Sequence, residues 1–159
     1  MSAITDNNKA VMFLKLDGVE GDSEVKGYKG HFRLGTIVTF DEKSSYKDKS
    51  GTMISFTILT RKGADALYKA ASNAKAFEGK ITNTLSVNND YEKTLEVEIK
   101  KVRILTDVKI EASGDQAIET PFKLFVLKLV YEPKRYDDDG DIIESDGRTV
   151  DHEANTVTS

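Results

Sequence analysis

The densest cluster of side chains that can do chemistry is the acidic run DDDGD at residues 137–141. Carboxylates spaced around a glycine suggest a calcium-binding EF-hand loop, which needs acidic side chains at its first, third and fifth positions and a glutamate at its twelfth. Aligning Gly140 with the loop glycine places Arg135 first and Asp146 twelfth. Because an arginine stands where the first ligand belongs, the template fails. The sequence therefore favours a solvated acidic segment over a calcium site.

Nucleophilic and imidazole chemistry is limited by composition. The chain has no cysteine and two histidines, His31 and His152. Without cysteine there is no thiol nucleophile, no disulfide and no Cys-ligated metal. Neither histidine accompanies a G-x-S-x-G motif of the kind that presents a nucleophilic serine. The sequence therefore predicts a protein that is not an enzyme, with no cofactor and no metal site.

Size and charge restrict the partners of the chain. Its 159 residues are the size of one domain,. The net charge of −4 divides into −6 for residues 132–159, with nine acidic and three basic residues, and +2 for residues 1–131. A nearly neutral body has no basic face to neutralise phosphates. Because no segment reaches the ~18 apolar residues of a membrane helix either, we expect no nucleic-acid partner and no membrane insertion.

Alternating apolar and polar residues predict a mainly β or α+β domain. Strands are predicted near residues 11–16, 32–40, 53–59, 81–87, 95–110 and 121–131. The alternation slips by one residue near Lys100 and Lys101. Such a slip predicts a β-bulge, which bends a long strand in the way that a barrel requires.

One segment has a helical period instead. Apolar residues recur there at intervals of three and four, namely Ala64, Leu67, Ala71 and Ala74,. We predict a helix over residues 62–77, with Thr60 as its N-cap and Gly79 just beyond its C-terminus. Residues 1–133 are predicted to form the folded domain, and residues 134–159 an acidic, flexible C-terminal tail.

The predicted strand at residues 121–131 is apolar on both faces. Leu124, Val126 and Val130 would lie on one face. The opposite face would carry Phe125, Leu127, Leu129 and Tyr131. A strand in a monomeric antiparallel barrel usually turns one polar face to water. The second apolar face therefore predicts a cover, either by the helix or by another subunit.

In order and spacing, these segments resemble the haemolysin-coregulated protein (Hcp) family, which forms the inner tube of the type VI secretion system. The sequence MFLKLDGVEGDS at residues 12–23 is similar to the family's first strand and turn, and residues 56–70 are similar to its strand-then-helix step. Residues 91–102 and 119–140 resemble its closing strands and its Tyr-x-Pro exit. The chain lacks the tryptophan that members often carry late in the second strand, and Phe40 is its nearest equivalent.

The resemblance implies a mainly β (α+β) fold, a β-barrel of two packed antiparallel sheets with one flanking α-helix. It also implies that the chain assembles with itself into homohexameric rings, which stack into a hollow tube. Further partners implied are a spike protein, a contractile sheath and effectors carried in the lumen. The protein would be made in the cytoplasm and then secreted without a signal peptide.

A long polar connection at residues 41–51 suits a contact between stacked rings, because long loops in compact domains are usually functional. Its mixed charges favour an orientation-specific and salt-sensitive contact. The residues assigned to this ring-stacking interface are Asp41, Glu42, Lys43, Tyr46, Lys47, Asp48 and Lys49.

Two other functions remain open from the sequence. One is a tail-tube subunit of a phage or phage-like particle, which has a related architecture but different partners. The other is a monomeric calcium- or ligand-binding domain that uses the acidic tail, and the failed EF-hand template argues against it.

Overall fold

The computed structural model describes residues 10–72, 75–87, 90–105, 120–136, 142–144 and 147–158. The described residues form ten strands and one helix. In chain order these are β1 (Ala10–Leu16), β2 (Phe32–Leu34), β3 (Thr39–Tyr46), β4 (Lys49–Ile58), α1 (Arg61–Ala71), β5 (Phe77–Val87), β6 (Asp90–Leu105), β7 (Thr120–Tyr136), β8 (Ile142–Glu144), β9 (Arg148–Asp151) and β10 (Thr156–Thr158). The predicted acidic run at 137–141 and the predicted strand residues 106–110 lie outside the described residues.

The strands form an antiparallel sheet in the order β10-β9-β7-β6-β5-β1-β2-β4-β3, with β8 also paired to β7. β4 pairs a second time with β7, from Thr52 opposite Val126 to Ile58 opposite Thr120. This extra pairing closes β7, β6, β5, β1, β2 and β4 into a ring, the arrangement of a β-barrel. β3, β8, β9 and β10 lie outside the ring. The predicted mainly β fold class, with a barrel and a helix, is confirmed.

The barrel encloses one apolar core. Strands of the ring contribute buried side chains that include Leu14, Phe32, Ile54, Phe56, Ile58, Ile81, Ile99, Val102, Phe122, Leu124, Val126 and Leu129. Helix α1 adds Ala64, Leu67 and Ala70 to the same cluster. The Tyr68 ring of the helix lies 5.0 Å from the Phe122 ring, centroid to centroid. The helix therefore packs on the barrel core, and its apolar period reflects this contact.

Helix α1 begins as predicted and ends earlier. The Thr60 hydroxyl accepts a hydrogen bond from the Gly63 N–H at 3.1 Å, which confirms Thr60 as the N-cap,. The helix ends at Ala71, however, and Phe77 and Gly79 belong to β5. A Cβ on Gly79 would lie 2.0 Å from the Lys15 carbonyl oxygen. Gly79 therefore allows two strand backbones to approach closely, and it does not terminate the helix.

The β-bulge predicted near Lys100 and Lys101 is present. Val97 and Ile99 are buried before it, and Val102 and Ile104 after it, so the buried phase shifts by one residue. The register between β5 and β6 shifts at the same place. Lys101 has a φ of 55°, in the left-handed region that one type of bulge uses, usually with a glycine,.

Residues 41–51 are a β-hairpin and not the long loop that we predicted. β3 and β4 pair up to Tyr46 opposite Lys49, which leaves a two-residue turn. Its residues, Lys47 and Asp48, have φ values of 48° and 64°. Two residues at positive φ suit a tight hairpin turn, but the usual signal for one is Asn-Gly or Asp-Gly. Because Lys-Asp carries no such signal, the sequence alone did not indicate the hairpin.

The end of the chain is also more ordered than predicted. β9 pairs with β7 from Lys128 opposite Asp151 to Tyr131 opposite Arg148, and β10 pairs with β9. Val150 is buried opposite Leu129. Residues 148–158, which we assigned to a flexible tail, therefore form a hairpin on the barrel. The two valines of this segment, Val150 and Val157, were too little signal against a polar background,.

Candidate assembly surface

One edge of β7 serves two partners in succession. β4 pairs with it as far as Thr52 opposite Val126, and β9 takes over from Lys128. At the change of partner, the Thr52 hydroxyl and Nε2 of His152 share a hydrogen bond of 2.8 Å. The His152 N–H donates to the Leu127 carbonyl at 2.9 Å. Two hairpins diverge from this point, which we call the fork. They are the projecting hairpin, residues 41–51, and the C-terminal hairpin, residues 148–158.

An open groove of about 560 Å³ separates the two hairpins. Ser44, Ser45 and Ser50 of the projecting hairpin line one side, and Val150, Asp151, His152 and Val157 of the C-terminal hairpin line the other. The lining therefore mixes polar and apolar side chains.

Glu42 and Arg148 make the main contact across this gap. The Arg148 guanidinium donates two hydrogen bonds to the Glu42 carboxylate, at 2.5 and 3.1 Å. The same guanidinium stacks 4.7 Å from the centroid of the Tyr131 ring on β7. The hydrogen-bonded arginine lowers the pKa of Glu42. This planar two-bond geometry fixes direction as well as distance.

Tyr131 lies beneath this ion pair. Its hydroxyl is buried, and burial raises its pKa above the ordinary value, with the nearby Glu42 carboxylate adding to the effect. Although Glu42 is close enough to act on it, the hydroxyl makes no hydrogen bond of ordinary geometry within the described part of the chain. On its other side, the Tyr131 ring meets the Phe40 ring edge-on at 5.9 Å. Tyr131 thus joins β7 to both β3 and β9.

The seven residues predicted for ring stacking all lie on the projecting hairpin, but they divide into two groups. Five side chains are exposed, namely Asp41, Lys43, Lys47, Asp48 and Lys49. Glu42 and Tyr46 are half-buried and turn inward, to Arg148 and to the Phe125 ring, whose centroid is 5.6 Å from that of Tyr46. The exposed charges are available to a partner, whereas Glu42 and Tyr46 hold the hairpin.

The four residues predicted to share an outer face of β7 do not share one. Leu129 lies in the barrel core with Leu124 and Val126. Phe125 faces outward but is covered by Tyr46, and Leu127 is half-exposed. Along β7, the side chains that point into the core change from even to odd positions between Val126 and Leu129. Val126 pairs with Val102 and Leu129 with Ile99, on the two sides of the bulge in β6, so β7 shifts its phase where β6 does. Because β7 follows β6, the prediction that Leu129 shares a face with Phe125 and Leu127 was wrong.

Both histidines occupy structural positions. His31 meets the Tyr28 ring edge-on at 5.3 Å and the Phe13 ring at 6.2 Å, beside the stacked Phe13–Tyr28 pair. Burial lowers the pKa of His31. His152 bonds Thr52 at the fork. The described residues contain no group of three His, Cys, Asp or Glu side chains suited to a metal ion. None of the helical segments described has the length and apolar character needed to cross a bilayer.

Three of the described strands, β3, β8 and β10, have a single partner each, which leaves their other edges unpaired within the described residues. β3 and β10 stand at the two ends of the sheet order, each with one partner. Val157 on β10 is 62% exposed, and Ile37, just before β3, is 75% exposed. Open edges with exposed apolar side chains favour pairing with another chain.

The fold itself has clear counterparts among solved structures. Hcp1 from Salmonella typhimurium superposes with a TM-score of 0.69 at 15% identity, over 94% of this chain and 99% of that one. The chain has the Hcp fold. Hcp2 from the same organism gives 0.64 at 20% identity, over 91% and 98% of the two chains. A structure described as a type six secretion system protein gives 0.71 at 12% identity, over 94% and 100%. No protein-family model and no curated protein matches the sequence.

The residues that join the two hairpins to the barrel, Thr52, Arg148 and His152, carry no signal of this role in the sequence. The only local signals were short β-prone stretches, RTVD at 148–151 and TVT at 156–158, separated by a polar turn,. The partner of each residue lies about a hundred positions away, so no spacing rule would have paired them.

Proposed function

We propose that this chain is a member of the Hcp family and a structural subunit of a type VI secretion tube. The observation that carries the proposal is the Hcp fold over almost the whole chain. The residue patterns noted in the sequence support it independently of the coordinates. The proposed role is mechanical, and it uses no catalytic residue and no cofactor.

The open sheet edges support self-association. β3 and β10 are two different open edges, on the two hairpins that border one groove. Contacts between two different surfaces on identical chains are head-to-tail, and they generate a ring when the rotation closes. We propose that six copies close such a ring, with Leu127 and the covered Phe125 near the contact between subunits.

The charges of the projecting hairpin support the proposal that one ring stacks on the next. Its exposed side chains, Asp41, Lys43, Lys47, Asp48 and Lys49, carry both signs of charge within one short hairpin. Opposite charges across a ring-to-ring contact would select one orientation and would weaken as salt screens them. We therefore assign stacking to these five residues and expect it to be salt-sensitive.

The remaining partners follow from the same proposal. A stacked tube would carry effectors in its lumen, bear a spike protein at its tip and lie inside a contractile sheath. The subunit would be made in the cytoplasm and exported with the tube.

Electron microscopy of the purified protein tests the proposal directly. We expect rings and, at low salt, stacked rings, with a hexamer mass by light scattering. A monomer at high protein concentration would refute it.

Charge reversal then tests the assigned contact. Lys43→Glu with Lys47→Glu is expected to keep the rings and abolish the stacks. A matched control, Lys62→Glu with Lys69→Glu, changes the net charge equally at exposed positions of helix α1, and it should leave stacking unchanged. Loss of the rings themselves in the first variant would assign the hairpin to the other interface.

A further inference from the structure

We infer that the C-terminal hairpin is a brace that sets the direction of the projecting hairpin, with Arg148 and Glu42 as its contact. The brace is a property of the single chain. Its consequence for ring stacking rests on the proposed function.

The projecting hairpin needs support because it leaves the barrel. Beyond Thr52, β4 no longer pairs with β7, because β9 occupies that edge. The backbone of the outer part then pairs only between its own two strands, and the Tyr46 ring packs on Phe125. A two-stranded hairpin without further support is marginally stable at best. Its direction relative to the barrel is therefore not set by backbone pairing alone.

The point at which the hairpin can bend coincides with Glu42. The register between β3 and β4 shifts between Asp41 and Ser44. An irregularity of this kind bends a strand and breaks its ladder locally. Because Glu42 lies inside the shifted segment, the Arg148 guanidinium holds the hairpin at its bend.

The geometry of this contact is more favourable than that of an ordinary surface ion pair, with the Arg148 side chain 45% exposed. Exposed pairs contribute little unless their geometry is favourable. Here Arg148 makes both hydrogen bonds while stacked on the Tyr131 ring, and the Glu42 side chain is only 29% exposed. Tyr131 is fixed by the β6–β7 pairing, opposite Val97. The arginine therefore connects the bend to the rigid wall of the barrel.

A second exposed ion pair on the same C-terminal hairpin provides a matched control. Lys101 on β6 contacts Glu153 in the turn after β9. This pair joins the C-terminal hairpin to the barrel and does not involve the projecting hairpin. Removing the Lys101–Glu153 pair tests whether the loss of any surface ion pair loosens the projecting hairpin as the loss of Arg148–Glu42 does.

Hydrogen exchange of the full-length protein, followed by mass spectrometry, tests the brace. We expect Arg148→Ala and Glu42→Ala each to raise exchange of the amides of residues 41–50 by about fivefold or more, the factor for a contact of ~1 kcal/mol. Amides of β1 and β5 should not change. Glu153→Ala should leave residues 41–50 at the wild-type rate. Unchanged exchange in both alanine variants, or an equal rise in Glu153→Ala, would overturn the inference.

Two further variants separate the brace from general loosening of β9. Arg148→Lys keeps the charge but loses the two-bond fork, so it should fall between wild type and Arg148→Ala. The charge swap Glu42→Arg with Arg148→Glu should recover part of the protection lost in Arg148→Ala. If residues 41–50 exchange as fast in the charge-swapped protein as in Arg148→Ala, a specific contact between positions 42 and 148 is contradicted. Because Glu42 lies outside the C-terminal hairpin, its alanine variant reports on the bend even if Arg148→Ala frays β9.

Ring formation is scored separately by electron microscopy. Rings together with unaltered exchange in both alanine variants would leave the proposed function standing and reject the brace. Altered exchange in a protein that forms no rings would support the brace and reject the proposed function. Where both hold, Arg148→Ala should shorten the stacks without dissociating the rings.

Discussion

The Phe125 ring lies directly over Gly51. A Cβ on Gly51 would stand 2.3 Å from Cζ of Phe125, far inside van der Waals contact. Phe125 is only 4% exposed although it points away from the barrel core. Gly51, where the projecting hairpin joins the barrel, thus packs against an aromatic residue of its own chain. The glycine is needed there for space and not for a turn, since its φ is not in the left-handed region.

Replacing Gly51 with alanine should destabilise the fold. The added methyl group must displace the Phe125 ring, and overpacking of this kind costs about 1–3 kcal/mol. Urea unfolding measures the loss. In a Phe125→Leu background, which has no ring at this place, the same substitution should cost clearly less. An equal loss in both backgrounds would show that the ring contact is not the cause.

Leu129 and Leu127, two residues apart on β7, should respond differently to truncation. Leu129→Ala leaves a cavity in the barrel core and should cost about 2–5 kcal/mol in the free energy of unfolding. Leu127→Ala removes a half-exposed side chain and should cost the isolated subunit clearly less. Thermal and urea unfolding of the two variants check this order. Equal costs would contradict the phase shift between Val126 and Leu129.

Thr60→Ala should weaken the start of helix α1. The substitution removes the oxygen that accepts the Gly63 N–H, and the loss of such a cap costs about 0.5–2 kcal/mol. The control is Ser72→Ala at the other end, where the hydroxyl donates to the Lys69 carbonyl at an exposed site. The free energy of unfolding of Ser72→Ala should stay within about 0.5 kcal/mol of the wild-type value. Comparable losses at the two ends would mean that the N-cap has no special role.

Tyr131 should make the fold sensitive to alkali. Burial raises the pKa of Tyr131 above its ordinary 10.0, so the folded protein holds the phenol proton more tightly than the unfolded chain does. Its contribution to stability is complete below pH 10.0 and is lost as the pH rises further toward the folded pKa,. Tyr131→Phe should therefore lose less stability than wild type between about pH 8 and pH 11. With Tyr46→Phe as the control, identical losses in wild type and Tyr131→Phe would count against this assignment.

Several features of the fold were readable from the sequence because their signals are local. The slip of alternation at Lys101 predicted the bulge, since side chains alternate strictly along a strand. Thr60 was predicted as the N-cap because it directly precedes the segment in which apolar residues recur with a helical period. The end of the helix was not readable, because Phe77 suits an apolar helix position as well as the first position of β5. Only the pairing of β5 with β1 and β6 separates the two.

The sequence by itself determined the mainly β class, the position of the bulge and the start of the helix, all of which depend on neighbours within a few residues. Tertiary structure alone decided which face Leu129 occupies, because β7 is apolar on both faces and takes its phase from β6. It also decided that residues 41–51 form a hairpin and that Arg148 meets Glu42 across 106 positions. The reason in each case is that long-range strand pairing places residues together whose separation in the chain carries no periodic signal.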